Sequence, residues 1–147
     1  MPIKERIQDD LKTAMKSGDT QRREILRLLM SAFKQVEVDR RTTLSDDDAI
    51  DLLGSEAKKR REAIEEMTRA GRTELAAQEQ YELEVIESYL PEQLGRDEIA
   101  RLVDEAIAET GASGVRDMGR VMSAVMPRVR GQADGKMVSE VVRQKLG

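Results

Sequence analysis

Cysteine, histidine and tryptophan are absent from this 147-residue chain, and aromatic residues number three: Phe33, Tyr81 and Tyr89. Without thiols there is no disulfide, no thiolate metal site and no cysteine nucleophile; without imidazole there is no histidine base and no histidine-bound zinc. Proline is also scarce, at three residues. No apolar run approaches the roughly 18 residues of a membrane span, and the Met1-Pro2-Ile3-Lys4-Glu5-Arg6 start has no hydrophobic signal core. A cytoplasmic protein that does not cross a membrane is expected. Three aromatics also leave no platform on which splayed bases could stack, which argues against reading of single-stranded nucleic acid.

Charge is plentiful instead. The chain carries 25 basic and 29 acidic residues, a formal net charge of −4. The excess is uneven: residues 95–147 have nine bases and eight acids, and the last 32 residues, Arg116 onward, have seven and three. A weak basic patch thus sits on an acidic body.

Apolar residues recur at three- and four-residue spacing along nearly the whole sequence, and β-branched residues are sparse, so the chain is read as all-α. The spacing predicts helices over about 3–17, 20–40, 45–70 and 73–89. Ser17-Gly18 and Gly71 are stops, and Asp19 or Thr20 and Ser45 are caps. Ser45 with Asp46, Asp47 and Asp48 resembles a capping box whose carboxylates favour the helix N-terminus, which explains the acidic run without a metal. Pro91 then breaks the pattern, because it lacks a donor and disfavours helical geometry at Leu90. Shorter helices are expected over about 96–109, 117–126 and 135–146, the second ended by Pro127. The expected architecture is a four-helix N-terminal domain, residues 1–93, followed by a three-helix bundle, residues 94–147.

Four groups of side chains stand out. Within Lys58-Lys59-Arg60-Arg61, Arg60 falls inside the apolar arc of its helix and Arg61 at the edge; Glu79 and Glu82 fall inside the arc of the next one. Folding the two helices antiparallel about Gly71 opposes these charges, so an ion network of Arg60, Arg61, Glu79 and Glu82 is expected in place of an RNA contact. Met118, Val121, Met122, Val125 and Met126 form one helical stripe, read as core. Past it, Gly131 can turn left-handed and Asp134 can cap the last helix, which leaves Arg128 and Arg130 on a tight turn. That turn reads equally as a solvated hairpin or as a rigid presenter of guanidinium groups to phosphate. Finally, Ser31-Ala32-Phe33-Lys34 and Ser55-Glu56-Ala57-Lys58 spell Ser-x-x-Lys inside predicted helices, where no second motif supports acyl transfer. No catalytic residue and no metal-ligand set is identified.

The strings Met118-Gly119-Arg120-Val121-Met122 and Gly131-Gln132-Ala133-Asp134-Gly135-Lys136-Met137-Val138 resemble the tail domain of the B-type subunit of the glutamine-dependent aspartyl/glutamyl-tRNA amidotransferase. Leu26-Arg27-Leu28-Leu29, Lys58-Lys59-Arg60-Arg61 and Tyr89-Leu90-Pro91-Glu92-Gln93-Leu94 resemble the stand-alone members of the same GatB/YqeY family. The resemblance covers essentially the whole chain. It implies tRNA as a partner, with an aminoacyl-tRNA synthetase or amidotransferase beside it, and no cofactor. By position it marks Arg116, Arg120, Arg128, Arg130, Lys136 and Arg143 as RNA-binding candidates, with Gly119, Gly131, Asp134 and Gly135 shaping the turn. Gly95 departs from the family pattern, standing where a serine cap is usual. The enzyme's kinase-like and amidase domains have no counterpart here, so catalysis by this chain alone is not expected. The resemblance therefore implies a non-catalytic, tRNA-associated accessory protein. Two alternatives stand beside it: a protein-interaction module using the acidic helical body, and an auxiliary subunit of a carbon–nitrogen ligase with glutamine as amido donor.

Overall fold

The computed structural model describes every residue, Met1–Gly147. It is all-α: seven α-helices and two 3-10 turns, with no strand. None of the helices is long and apolar enough to cross a membrane. Contacts divide the chain into two compact units, Met1–Leu90 and Pro91–Gly147.

The first unit contains α1 (Ile3–Ser17), α2 (Thr20–Arg40), α3 (Asp46–Arg69) and α4 (Thr73–Glu87). Gly18 ends α1 with φ 75°, a left-handed conformation that costs a glycine little, and the Asp19 side chain accepts the Arg22 N–H to start α2 at once. A two-residue connection of this kind makes α1 and α2 antiparallel neighbours. Ser45 and Asp48 form a reciprocal capping box at α3. The next carboxylate joins two elements, because Asp46 Oδ1 accepts the N–H of Ile3 at 3.0 Å. Ile7, Leu26, Leu29, Phe33, Leu53 and Ile86 are fully enclosed in one core, each contributing on the order of 1.5–3 kcal/mol of apolar burial.

Periodicity misplaced some side chains here. Ile3, Ile7, Leu11 and Met15 form one i, i+4 row in the sequence, yet Ala14 is buried and Met15 exposed. Each four-residue step advances about 40° around a helix of 3.6 residues per turn, so by the third step the row has rotated out of the core. Helix α4 stops at Glu87, two residues before the predicted end, and Tyr89 is nonetheless buried.

The second unit contains α5 (Arg96–Thr110), a 3-10 turn (Val115–Asp117), α6 (Met118–Val125), a second 3-10 turn (Met126–Val129) and α7 (Gly135–Leu146). Its core is aliphatic: Ile99, Val103, Val121, Val125, Val129, Val138 and Val142 are enclosed. The Met stripe of α6 is therefore peripheral to its valines; Met118 and Met122 are partly buried and Met126 is exposed. Pro127 does not simply stop the chain. It follows directly on Met126, whose N–H closes the last α6 bond to Met122 O; lacking a donor, Pro127 cannot repeat that bond, and the helical path continues to Val129 in a tighter winding. Gly95 begins α5 with no side-chain cap, as its departure from serine implies.

Candidate nucleic-acid interface and the buried ion network

The turn between α6 and α7 is built from both of its ends. Gly131 adopts φ 71°, and the Asp134 carboxylate accepts the Lys136 N–H at 3.2 Å. The segment after Pro91 staples the turn from outside. Gln93 donates its side-chain amide to the Gly131 carbonyl at 2.7 Å, the Leu94 N–H donates to Gln132 O at 2.7 Å, and Gln132 reaches back to the Glu92 carbonyl at 3.3 Å. The Pro91-Glu92-Gln93-Leu94 string thus clamps the basic turn, a role that only the fold reveals. Gly119 and Gly135 are not required by space, since a methyl group at either would meet nothing closer than ordinary van der Waals contact.

The candidate bases divide by their surroundings. Arg128 pairs with Glu109, and Glu105 lies 3.9 Å away, both on α5. Arg120 pairs with Asp117 at 2.8 Å and donates to the Thr110 carbonyl at 3.2 Å, covering an otherwise unsatisfied acceptor at the end of α5. The Ser113 N–H, foremost, and then Arg120 hold the Asp117 carboxyl below its ordinary value. Arg130 and Lys136 also have partners. Arg116, on a 3-10 turn that packs against α6 and α7, and Arg143, on α7, are exposed and enter no ion pair. The second unit carries nine bases and nine acids. Within the basic patch of the sequence, α5 carboxylates thus pair with Arg128 and Lys145, while Arg120 is met by the neighbouring Asp117.

In the first unit, Arg60 is 8% exposed and sits among three carboxylates. Its guanidinium pairs with Glu56, donates to Glu82 at 3.3 Å, and has Glu79 at 4.0 Å from Nε. That Nε is buried without a hydrogen-bond partner. The carboxylates surround the guanidinium and form no cluster suited to a metal ion. Burial, foremost, and repulsion from Glu82 raise the Glu79 carboxyl above its ordinary value, against the pull of Arg60. Arg61 takes a different direction, approaching Glu87 at 3.8 Å. One residue is 100° of helix, enough to send adjacent arginines to different carboxylates.

A second polar cluster carries no signal in the sequence. The buried Tyr89 hydroxyl donates to Asp10, Arg22 donates to the same oxygen at 3.3 Å, and the Arg6 guanidinium lies 5.4 Å from the ring centroid. Burial and the bond to Asp10 push the phenol above its ordinary value. The contact ties the end of the first unit back to α1 and α2 across 79 residues.

The chain is 30% identical over 145 residues to "Altered inheritance of mitochondria protein 41, mitochondrial" of Pyrenophora tritici-repentis, covering 97% of this chain and 80% of that protein. It is 34% identical over 124 residues to the E-type subunit of the glutamyl-tRNA(Gln) amidotransferase of Thermococcus sibiricus, covering 81% of this chain and 19% of that protein. A shorter match, 39% over 57 residues, joins it to the corresponding protein of Thermococcus gammatolerans, with 9% of that protein covered. The tRNA amidotransferase likeness read from the motifs thus extends to a second kind of amidotransferase subunit. Residues 4–146 match the Yqey-like protein family, and the chain belongs to it.

Proposed function

We propose that this chain is a non-catalytic accessory protein that associates with tRNA. In this reading the four helices of the first unit form its body, and α5–α7 act as a tail-like module that meets the RNA. The observation that carries the reading is the 81% of the chain that aligns with a subunit of a glutamyl-tRNA(Gln) amidotransferase. The surface of the second unit supports a particular mode of contact. Arg116 and Arg143 are exposed without ion pairs, and the partners of Arg120 and Arg128 are surface carboxylates whose pairs hold by only about 0–1 kcal/mol. Phosphate can displace such partners, since guanidinium binds it in bidentate fashion. The RNA is a folded one, held by its backbone and shape.

The test is filter binding of bulk tRNA to the full chain. Binding at 50 mM salt is expected to fall about a hundredfold by 200 mM, the slope of about four phosphate contacts. Arg116→Glu with Arg143→Glu removes about two contacts, so the same salt step then costs about tenfold. Absence of any tRNA complex at 50 mM salt overturns the reading. The place of action is the cytoplasm, checked by fractionation; recovery in a mitochondrial fraction, the compartment in the name of the Pyrenophora relative, overturns that part alone.

A further inference from the structure

Ser31-Ala32-Phe33-Lys34 spells Ser-x-x-Lys without the companions of an acyl-transfer site, and the fold gives the string another use. Phe33 is enclosed in the core of the first unit, and α2 turns Ser31 and Lys34 away from it, where both are exposed. They border a depression of about 450 Å³ between α1 and α2, with Lys4 and Gln8 on the α1 side and Met30 and Glu37 completing the α2 side. Ser31 also borders the next depression along α2, to which the exposed Arg27 belongs. Arg27, Ser31 and Lys34 thus follow one another along one stripe at i, i+4 and i+7. The carboxylates that border the two depressions are already taken. Glu37 pairs with Lys4 and accepts the Leu44 N–H at 3.0 Å, Glu24 pairs with Arg23 at 3.1 Å, and Glu82 pairs with Arg60 at 3.3 Å. Arg27 and Lys34 enter no ion pair. Two cations with a hydroxyl between them are therefore left facing solvent without an anion.

We propose that this α1–α2 face is a second contact for folded RNA, holding its phosphate backbone from the first unit; the inference rests on the tRNA-associated reading above. The occupant follows from the spacing and from the kinds of side chain. Arg27 and Lys34 are seven residues, about 10 Å of helix, apart, too far to close on one phosphate and suited to two along a backbone. Guanidinium and ammonium groups bind phosphate oxygens, and the Ser31 hydroxyl between them can donate to another. An anionic membrane would in addition need apolar side chains to enter it, and the residues between Arg27 and Lys34 on this stripe are the half-buried Met30 and Ser31. Helix α4 carries five glutamates and no base, so the acidic excess of the first unit lies largely there. The α1–α2 contact adds to that of the second unit and does not replace it.

The test compares variants of the full chain in filter binding of bulk tRNA. Arg27→Gln with Lys34→Gln removes about two phosphate contacts, so the affinity lost between 50 and 200 mM salt is expected to be about tenfold less than in the unaltered chain. Arg69→Gln with Arg72→Gln removes the same charge from exposed positions at the tip of the α3–α4 hairpin and is expected to leave that salt dependence unchanged. All four positions are exposed, so helicity and Tm are expected to stay close to those of the unaltered chain. Without any variant, bound tRNA is expected to shield Lys34 from an acetylating reagent while the exposed Lys58 of α3 stays reactive, as read by mass spectrometry. An unchanged salt dependence in the Arg27 and Lys34 variant, an equal change in both variants, or a Lys34 that reacts as fast with tRNA as without it overturns the proposal and leaves the tRNA reading intact. So does loss of binding to phosphatidylserine vesicles in that variant with tRNA binding retained, which would assign the face to a membrane. Absence of any tRNA complex at 50 mM salt overturns both.

Discussion

Arg60 is the one charged residue buried in the first unit. Removing a buried guanidinium strands the carboxylates around it, a change that typically costs about 3–5 kcal/mol. Arg60→Met is accordingly expected to lower unfolding free energy by about that much in urea titrations. Paired with Glu82→Met in a double-mutant cycle, it should give a coupling of at least about 1 kcal/mol. The matching cycle of Arg61 with Glu82 should be near zero, since Arg61 reaches Glu87; additive behaviour of Arg60 and Glu82 would refute the network. Glu79 acts in the opposite sense. Its carboxyl is raised from 4.5 chiefly by burial, so the folded state binds that proton more readily than the unfolded chain. Its contribution to stability therefore rises as pH falls toward the ordinary carboxylate range. Glu79→Gln should raise Tm at pH 7, and the gain should shrink by pH 5; thermal melts at the two values decide it.

Among the helices, starts were more legible than ends. Asp19, Ser45 and Asp134 cap as their residue types announce, because a cap is a bond between a side chain and a backbone N–H two or three residues on. Ends depend on turn chemistry that other residues can supply, and α2 is the instructive case. Its cap is Arg41 at φ 55°, a left-handed residue with no glycine to signal it. The left-handed conformation costs a side-chain-bearing residue about 1–2 kcal/mol. Glycine relieves that strain but loosens the unfolded chain by about 0.4–1 kcal/mol. Arg41→Gly is thus expected to stabilise by about 0.5–1 kcal/mol. An unchanged or lower urea midpoint would show that the turn is not strained. Pro127 teaches the converse: a proline that local rules read as a stop is accommodated by tightening the winding.

For the whole molecule, the division after Leu90 separates two cores, each with its own enclosed aliphatic residues. A unit with a core of its own can fold alone, though a domain of about 60 residues buries only about 60% of its unfolded surface and is correspondingly marginal. Residues 91–147 expressed by themselves should be helical by circular dichroism and melt cooperatively, below the Tm of the full chain. A gradual, non-cooperative melt would mean that this core requires the other unit. The division also concerns charge. The first unit has sixteen bases against twenty acids, while the second is balanced at nine and nine, so any anionic partner has better access to the second.

Local chemistry was within reach of the sequence alone: helical periodicity, three of the caps, the left-handed Gly18, Gly71 and Gly131, and each of the motifs that mark the family depend on residues only a few positions apart. The meeting of Arg60 with Glu82 followed from periodicity and the turn at Gly71, but tertiary structure alone decided the other long-range partners. Gln93 on the Gly131 carbonyl, Tyr89 on Asp10, Arg128 on Glu109, and Arg61 turned to Glu87 are all contacts between segments remote in sequence. Their pairing depends on how far each helix is rotated when it packs, and at 100° per residue a single position is enough to change the partner.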